Sequence, residues 1–169
     1  MKWVLIAVGV LIVVVATVAV IGAMLPKNHL ASRTSHFRQP PQAIWDVITG
    51  PPDWRPDIRS SEKLGPRDGR RAWREIDKNG QAIVYESVEE TPPRRLVTRI
   101  ADPKLPFGGM WTQEIVQDAS GCQLTITEAG EIYNPIFRFM ARFVFGYSGT
   151  IDTYLKALHA KFGEAAEGD

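Results

Sequence analysis

The chain has 169 residues with 20 basic and 19 acidic side chains, a formal charge of +1 and a single cysteine. This balance offers no basic footprint for a nucleic-acid partner, and a lone Cys122 excludes an intrachain disulfide and a thiolate metal cluster. The length beyond the first apolar run suits one domain able to bury its own core, with no second domain expected.

From Trp3 to Leu25 the chain is apolar, Thr17 being the one polar side chain. Crossing a bilayer core takes about 20 residues at 1.5 Å each, so this stretch predicts one transmembrane helix. A cleaved signal peptide has an apolar core of roughly 7–15 residues before a small-x-small site, whereas this run ends Ile21-Gly22-Ala23-Met24-Leu25-Pro26. A retained anchor over residues 1–27 is therefore expected, with residues 28–169 as the folded domain. Lys2 precedes the run and Lys27, Arg33 and Arg38 follow it, which by the positive-inside rule favours a cytoplasmic domain.

His29 to Arg38 reads as a first strand, stopped by Pro40-Pro41. Pro41 suits the first turn of a short helix whose apolar stripe is Ile44, Trp45, Val47 and Ile48, closed by Gly50-Pro51-Pro52. Asp53 to Arg59, with Trp54 and Pro56, is a turn or a single helical turn, because Pro56 disfavours helical geometry at Arg55. Six strands follow, at residues 60–64, 71–76, 83–90, 95–101, 110–117 and 122–128, separated by Gly, Pro, Asn and Asp clusters. Asp77-Lys78-Asn79-Gly80 and Asp118-Ala119-Ser120-Gly121 are the expected hairpin turns of an antiparallel meander.

Asn134-Pro135 is a helix start, with Asn as cap, and helical character runs to about Phe162, breaking or bending at Gly146 and Gly149. In its second half Ile151, Tyr154, Leu155, Leu158 and Phe162 share a face that must pack on something flat and apolar.

The segments Pro41-Gln42-Ala43-Ile44-Trp45-Asp46-Val47-Ile48, Trp54-Arg55-Pro56, Gly109-Met110-Trp111-Thr112-Gln113-Glu114-Ile115 and Gly121-Cys122-Gln123-Leu124-Thr125-Ile126-Thr127, in this order, resemble the START-related, Bet v 1-like (SRPBCC) superfamily. The similarity is to its bacterial polyketide cyclase/dehydrase and lipid-transport-like members, and spans nearly all of residues 30–163. It implies an α+β helix-grip fold, a curved antiparallel sheet wrapped around a long C-terminal helix with a cavity between them. None of these segments is a catalytic signature.

Such a cavity needs inward apolar and aromatic side chains with a few polar groups. Trp54, Trp73, Tyr85, Trp111 and Tyr133 are candidates to line it, together with Phe137 and Met140, although ordinary core packing would use the same residues. Period-2 alternation sets Trp73 on a face with Glu75, Trp111 with Ile115, and Glu128 with Leu124 and Ile126. Glu128 is the sharpest polar candidate, either facing the interior or sitting at the rim, solvated or paired with an arginine such as Arg99. Residues 136–145 are apolar nearly all round, with Arg138 and Arg142 one turn apart. Three readings fit: a helix on the membrane surface, a gate over the pocket mouth, or an amphipathic helix packed on the sheet with its arginines in water. Arg67, Arg70, Arg71 and Arg74 mark a charged hairpin that meets anionic lipid or only solvent.

His29, His36 and His159 lack metal-ligand spacing, and no nucleophile context, phosphate loop or dinucleotide fingerprint is present, so neither metal nor cofactor is expected. Three functions remain open. The chain is a membrane-tethered module that binds or transfers a hydrophobic small molecule or lipid; or a cyclase or dehydratase acting on a polyketide-like substrate through Glu128, Glu114 and Tyr85; or a scaffold with a filled core. No catalytic residue is assigned.

Overall fold

The computed structural model describes residues 1–165, so the last four residues of the expected domain, 166–169, lie outside the described residues. Helix α1 (Lys2–Met24) is 23 residues long, apolar enough to cross a membrane, and exposed over nearly all its length. Strand β1 (Asn28–Phe37) follows at once, then α2 (Pro41–Thr49) with Pro41 in its first turn and Ile44 and Trp45 buried. Gly50-Pro51-Pro52 ends α2, since proline supplies no backbone donor to continue it.

Six strands run in sequence: β2 (Ile58–Arg67), β3 (Arg70–Asp77), β4 (Ala82–Thr91), β5 (Arg95–Ile100), β6 (Phe107–Gln117) and β7 (Cys122–Ile132). With β1 they make one antiparallel sheet ordered β1-β7-β6-β5-β4-β3-β2. The meander and both expected hairpin turns are present. Strands β2 and β7 run further than their alternation indicated, β7 by four residues past Glu128, because β1 and β6 pair with it along its whole length.

The helical C-terminal region is divided where its glycines fall. Helix α3 (Pro135–Met140) is capped by the Asn134 side chain, which accepts from the backbone N–H groups of Ile136 (2.8 Å) and Phe137 (3.3 Å). One wider π-type turn, Ala141–Phe145, leads to Gly146, whose φ of +75° turns the chain before α4 (Gly149–Lys161). Ile151, Tyr154, Leu155 and Leu158 are buried on α4, against Phe37, Ile44, Leu96, Ile115, Leu124 and Ile126 from β1, α2, β5, β6 and β7. Each such buried aliphatic side chain contributes about 2 kcal/mol of transfer free energy. The core is thus one end of the grip.

Residues 136–145 do not form an amphipathic helix packed on the sheet with both arginines in water. Arg138 is buried against α1, while Phe143, Val144 and Phe145 are exposed. The cause is α1 itself: α3 packs on its end, where Arg138 donates to the carbonyl of Leu25, and meets the sheet at β7.

Candidate cavity between sheet and last helix

Beyond the core the sheet and α4 separate around a cavity of about 1010 Å³, bounded by the turn after α2, the inner faces of β2 to β7, α3 and the start of α4. Register places its aromatic walls. Trp73 and Tyr85 are direct cross-strand partners on β3 and β4, and their rings stack with centroids 5.6 Å apart. Trp111 and Glu128 are partners on β6 and β7. Tyr154 of α4 meets Trp54 and Trp111 edge-on at 5.1 and 5.4 Å, closing one end.

A first polar group sits beside that end. Arg55, held by the Trp-Arg-Pro turn, donates from Nη1 to Glu75 Oε2 (2.9 Å) and from Nη2 to Asp57 Oδ2 (2.6 Å). Trp73 Nε1 donates to the other Glu75 oxygen (3.0 Å), so both oxygens of this buried carboxylate are used. Burial works against the charge on Arg55, but hydrogen bonding to Asp57 and attraction to Glu75 and Asp57 outweigh it and hold the guanidinium above its ordinary value. Burial, reinforced by Glu75, pushes the phenol of Tyr85 well above its usual range, and burial does the same to Tyr154. Both hydroxyls are neutral donors at physiological pH.

A second polar group lies on the β1–β7 side. His29 Nε2 is 3.4 Å from Glu128 Oε1, and the imidazole stacks on Tyr147 at 4.4 Å. The pairing His29↔Gly130 sets the ring over a residue without a side chain; a Cβ at Gly130 would fall 2.2 Å from His29 Cε1. His29 Nδ1 and Glu128 Oε2 are buried and have no hydrogen-bond partner among the described residues, and both residues line the cavity. A ligand hydroxyl, which donates to a carboxylate oxygen and can also accept, would satisfy them, since a buried unpaired polar atom costs roughly 1–3 kcal/mol. Among the described residues, no group of three or more His, Cys, Asp or Glu side chains is placed to hold a metal ion.

Trp54, Trp73, Tyr85, Trp111, Glu128, Phe137 and Met140 come together around this one cavity. Tyr133 does not line it: it is exposed, and its hydroxyl donates to Glu131 (2.7 Å), which does. The strand ends at Ile132, and the turn into α3 carries Tyr133 away. Glu114 points to the outer face, where it pairs with Arg95. Glu128 is paired not with Arg99 but with His29, because Arg99 lies two strands away on β5 and binds Glu86 (2.8 Å). Arg71 and Arg74 on the charged hairpin are taken by Glu90 and Glu62. The sequence does not mark His29, Arg55, Glu75 and Tyr147 as cavity residues; an arginine set between Trp54 and Pro56 is the one local signal.

The fold is shared with several solved bacterial proteins. MLL2253 of Mesorhizobium loti is 12% identical, with 80% of this chain and 97% of that one aligned at a TM-score of 0.61. XoxI of Bacillus cereus is 18% identical over 81% and 96% of the two chains (TM-score 0.58), and a protein of Rhizobium leguminosarum 14% identical over 79% and 93% (TM-score 0.58). No curated protein matches. The family model described as polyketide cyclase / dehydrase and lipid transport matches residues 29–163, nearly everything after α1, and the chain belongs to that family.

Proposed function

We propose that this chain is a membrane-anchored module that holds a hydrophobic small molecule or lipid between its sheet and α4, either to store it or to pass it on. The observation that carries this reading is the cavity itself, about 1010 Å³ and walled by Trp54, Trp73, Tyr85 and Trp111, a size and lining suited to an apolar ligand with a few polar groups. The free polar atoms of His29 and Glu128 fit a ligand that carries at least one hydrogen-bonding group. Helix α1 serves as the tether, with the domain on the cytoplasmic side, and keeps the cavity where apolar ligands are concentrated. Burying the ligand's apolar body contributes about 25 cal/mol per Å² before ordering costs.

A photoreactive benzoylphenylalanine in place of Tyr85 tests this in cells, with Val116, exposed on the outer face, as the reference position. The expected result is a small-molecule adduct at position 85 and none at 116. Adducts at neither position, or equal adducts at both, would contradict it.

A second reading has one observation behind it: His29 and Glu128 sit within reach of one another inside the cavity, an arrangement able to move a proton on a bound substrate. Conversion of the extracted ligand by wild-type chain but not by His29→Gln would support this cyclase- or dehydratase-type activity; intact ligand with both would count against it.

A further inference from the structure

The cavity meets the outside in two places of opposite character. At the β2 edge its exposed lining residues include Arg59, Ser60, Ser61 and Lys63; towards α3 and the π-type turn they include Phe137, Phe145 and Met110, with Gly146 and Thr150 beside them. The polar opening faces water without cost. The apolar one lies in a patch where Phe143 is 60% and Phe145 71% exposed, continuous with Val144 and Ile136. An exposed apolar patch of this kind marks a surface that is covered in use.

The position of this patch relative to α1 identifies its cover. Helix α3 does not hang beyond the end of α1 but packs along its last turns. Gly22 is buried, and a Cβ there would lie 1.9 Å from the carbonyl oxygen of Pro135. Arg138, 7% exposed, donates from Nη1 to the carbonyl of Leu25 (2.8 Å) and more weakly to that of Ala23 (3.5 Å), and from Nη2 to that of Tyr133 (3.3 Å). Val18 and Ala19, one turn back towards the N-terminus, are half-buried on α1. The stretch from Val18 to Leu25 rises about 10 Å at 1.5 Å per residue. A bilayer that covers α1 to its end therefore reaches the depth of α3. In that setting the terminal carbonyls of α1 need a partner, since lipid offers none, and the Arg138 guanidinium supplies it.

Charge agrees with depth. From Pro135 to Gly149 the chain has no acidic residue, and Arg142 is exposed one turn from Arg138. An exposed arginine among phenylalanines suits the phosphate level of a bilayer, with its stem along apolar surface and its head at the phosphates.

We propose that α3 and the π-type turn lie in the headgroup and acyl boundary of a phospholipid bilayer, so that the cavity opens sideways into it and exchanges its ligand there without passing through bulk water. This rests on α1 being a membrane anchor, and adds the surface that the domain presents and the route by which the cavity fills. The ligand class that follows is an amphiphile resident in the bilayer, not a water-borne substrate.

Nitroxide labels on the full chain in phospholipid nanodiscs test this by comparing broadening from oxygen, which concentrates in lipid, with that from a water-soluble nickel chelate. Phe145→Cys and Phe143→Cys are the test positions, Val10→Cys within α1 and Asn79→Cys at the β3–β4 turn the references; fully buried Cys122 gives little background, checked on the unsubstituted chain. The expected result is oxygen broadening above nickel broadening at 143, 145 and 10, and the reverse at 79. Nickel dominating at 143 and 145 while oxygen dominates at 10 would overturn the proposal and leave the anchor standing. Nickel dominating at position 10 as well would overturn both. Dipolar broadening between labels at 145, with neither reagent gaining access, would assign the patch to a second copy of the chain and overturn the proposal.

Discussion

Arg55 and Glu75 meet at 2.9 Å on the cavity wall, from a turn and a strand that are 20 residues apart in sequence, and both side chains are mostly buried. Removing one member of a buried pair leaves the other uncompensated, which is costly; here Asp57 stays with Arg55 and softens the loss. Glu75→Gln is expected to destabilise the full chain by on the order of 2–3 kcal/mol. Glu62→Gln, in the exposed pair with Arg74, should stay within about 0.5 kcal/mol. Denaturant titration in detergent micelles checks both; equal effects would show that the Arg55 cluster is no more than surface charge.

Gly130 is the position that makes room for the His29 imidazole. Gly130→Ala should push the ring off Glu128 and cost about 1–3 kcal/mol, as overpacking does. In the double variant with His29→Ala the clash with the ring is gone and the nearest remaining neighbour of the added methyl is Glu128 Oε1 at 3.0 Å, so the combined cost should fall short of the sum by about 1 kcal/mol. Additive costs would mean that the close approach of β1 to β7 at this point carries no strain.

Alkaline pH should weaken the fold in a defined window. Burial raises the phenols of Tyr85 and Tyr154 above the ordinary 10.0, and burial, with Asp118 next, pushes the Cys122 thiol from 9.0 up to about 11. Each group keeps its proton in the folded state at a pH where the unfolded chain has lost it. Their contribution is complete below the unfolded value and is lost as pH rises towards the folded one, so stability should decline from about pH 9, more steeply above 10. The Tyr85→Phe/Tyr154→Phe variant should flatten the part above pH 10, as read from denaturation midpoints between pH 8 and 11. An unchanged slope would contradict the assignment.

The elements were legible because their signals are local. Pro41 and Asn134-Pro135 start helices through backbone geometry, the Asn79-Gly80 and Ser120-Gly121 turns reverse strands, and Leu124 and Ile126 announce an inward face by alternation. The apolar stripe of α4 announced a sheet to pack on. The aromatic lining was legible for the same reason, since Trp73 and Trp111 sit on strand faces that alternation defines. The polar side of the cavity was not. His29 reaches Glu128 only because β1 closes on β7, a pairing of chain segments nearly a hundred residues apart that no periodicity records. Arg99, an example of the arginine expected beside Glu128, lies two strands away in the sheet. Tyr133 was lost at a strand end, where one residue of turn decides which way a side chain points. The burial of Arg138 needed the position of α1 beside α3, which neither segment shows alone.

An apolar molecule is expected to occupy the space between the β-sheet and α4. Native mass spectrometry of the full chain released from nanodiscs, followed by solvent extraction, measures this most directly. Thr98→Trp, which projects an indole from the inner face of β5 into the cavity, serves as the blocked reference. The expected result is a one-to-one adduct of an apolar molecule on the wild-type chain and its loss in Thr98→Trp. A bare mass for the wild type after bilayer lipids have been offered, or an adduct that Thr98→Trp retains in full, would contradict it.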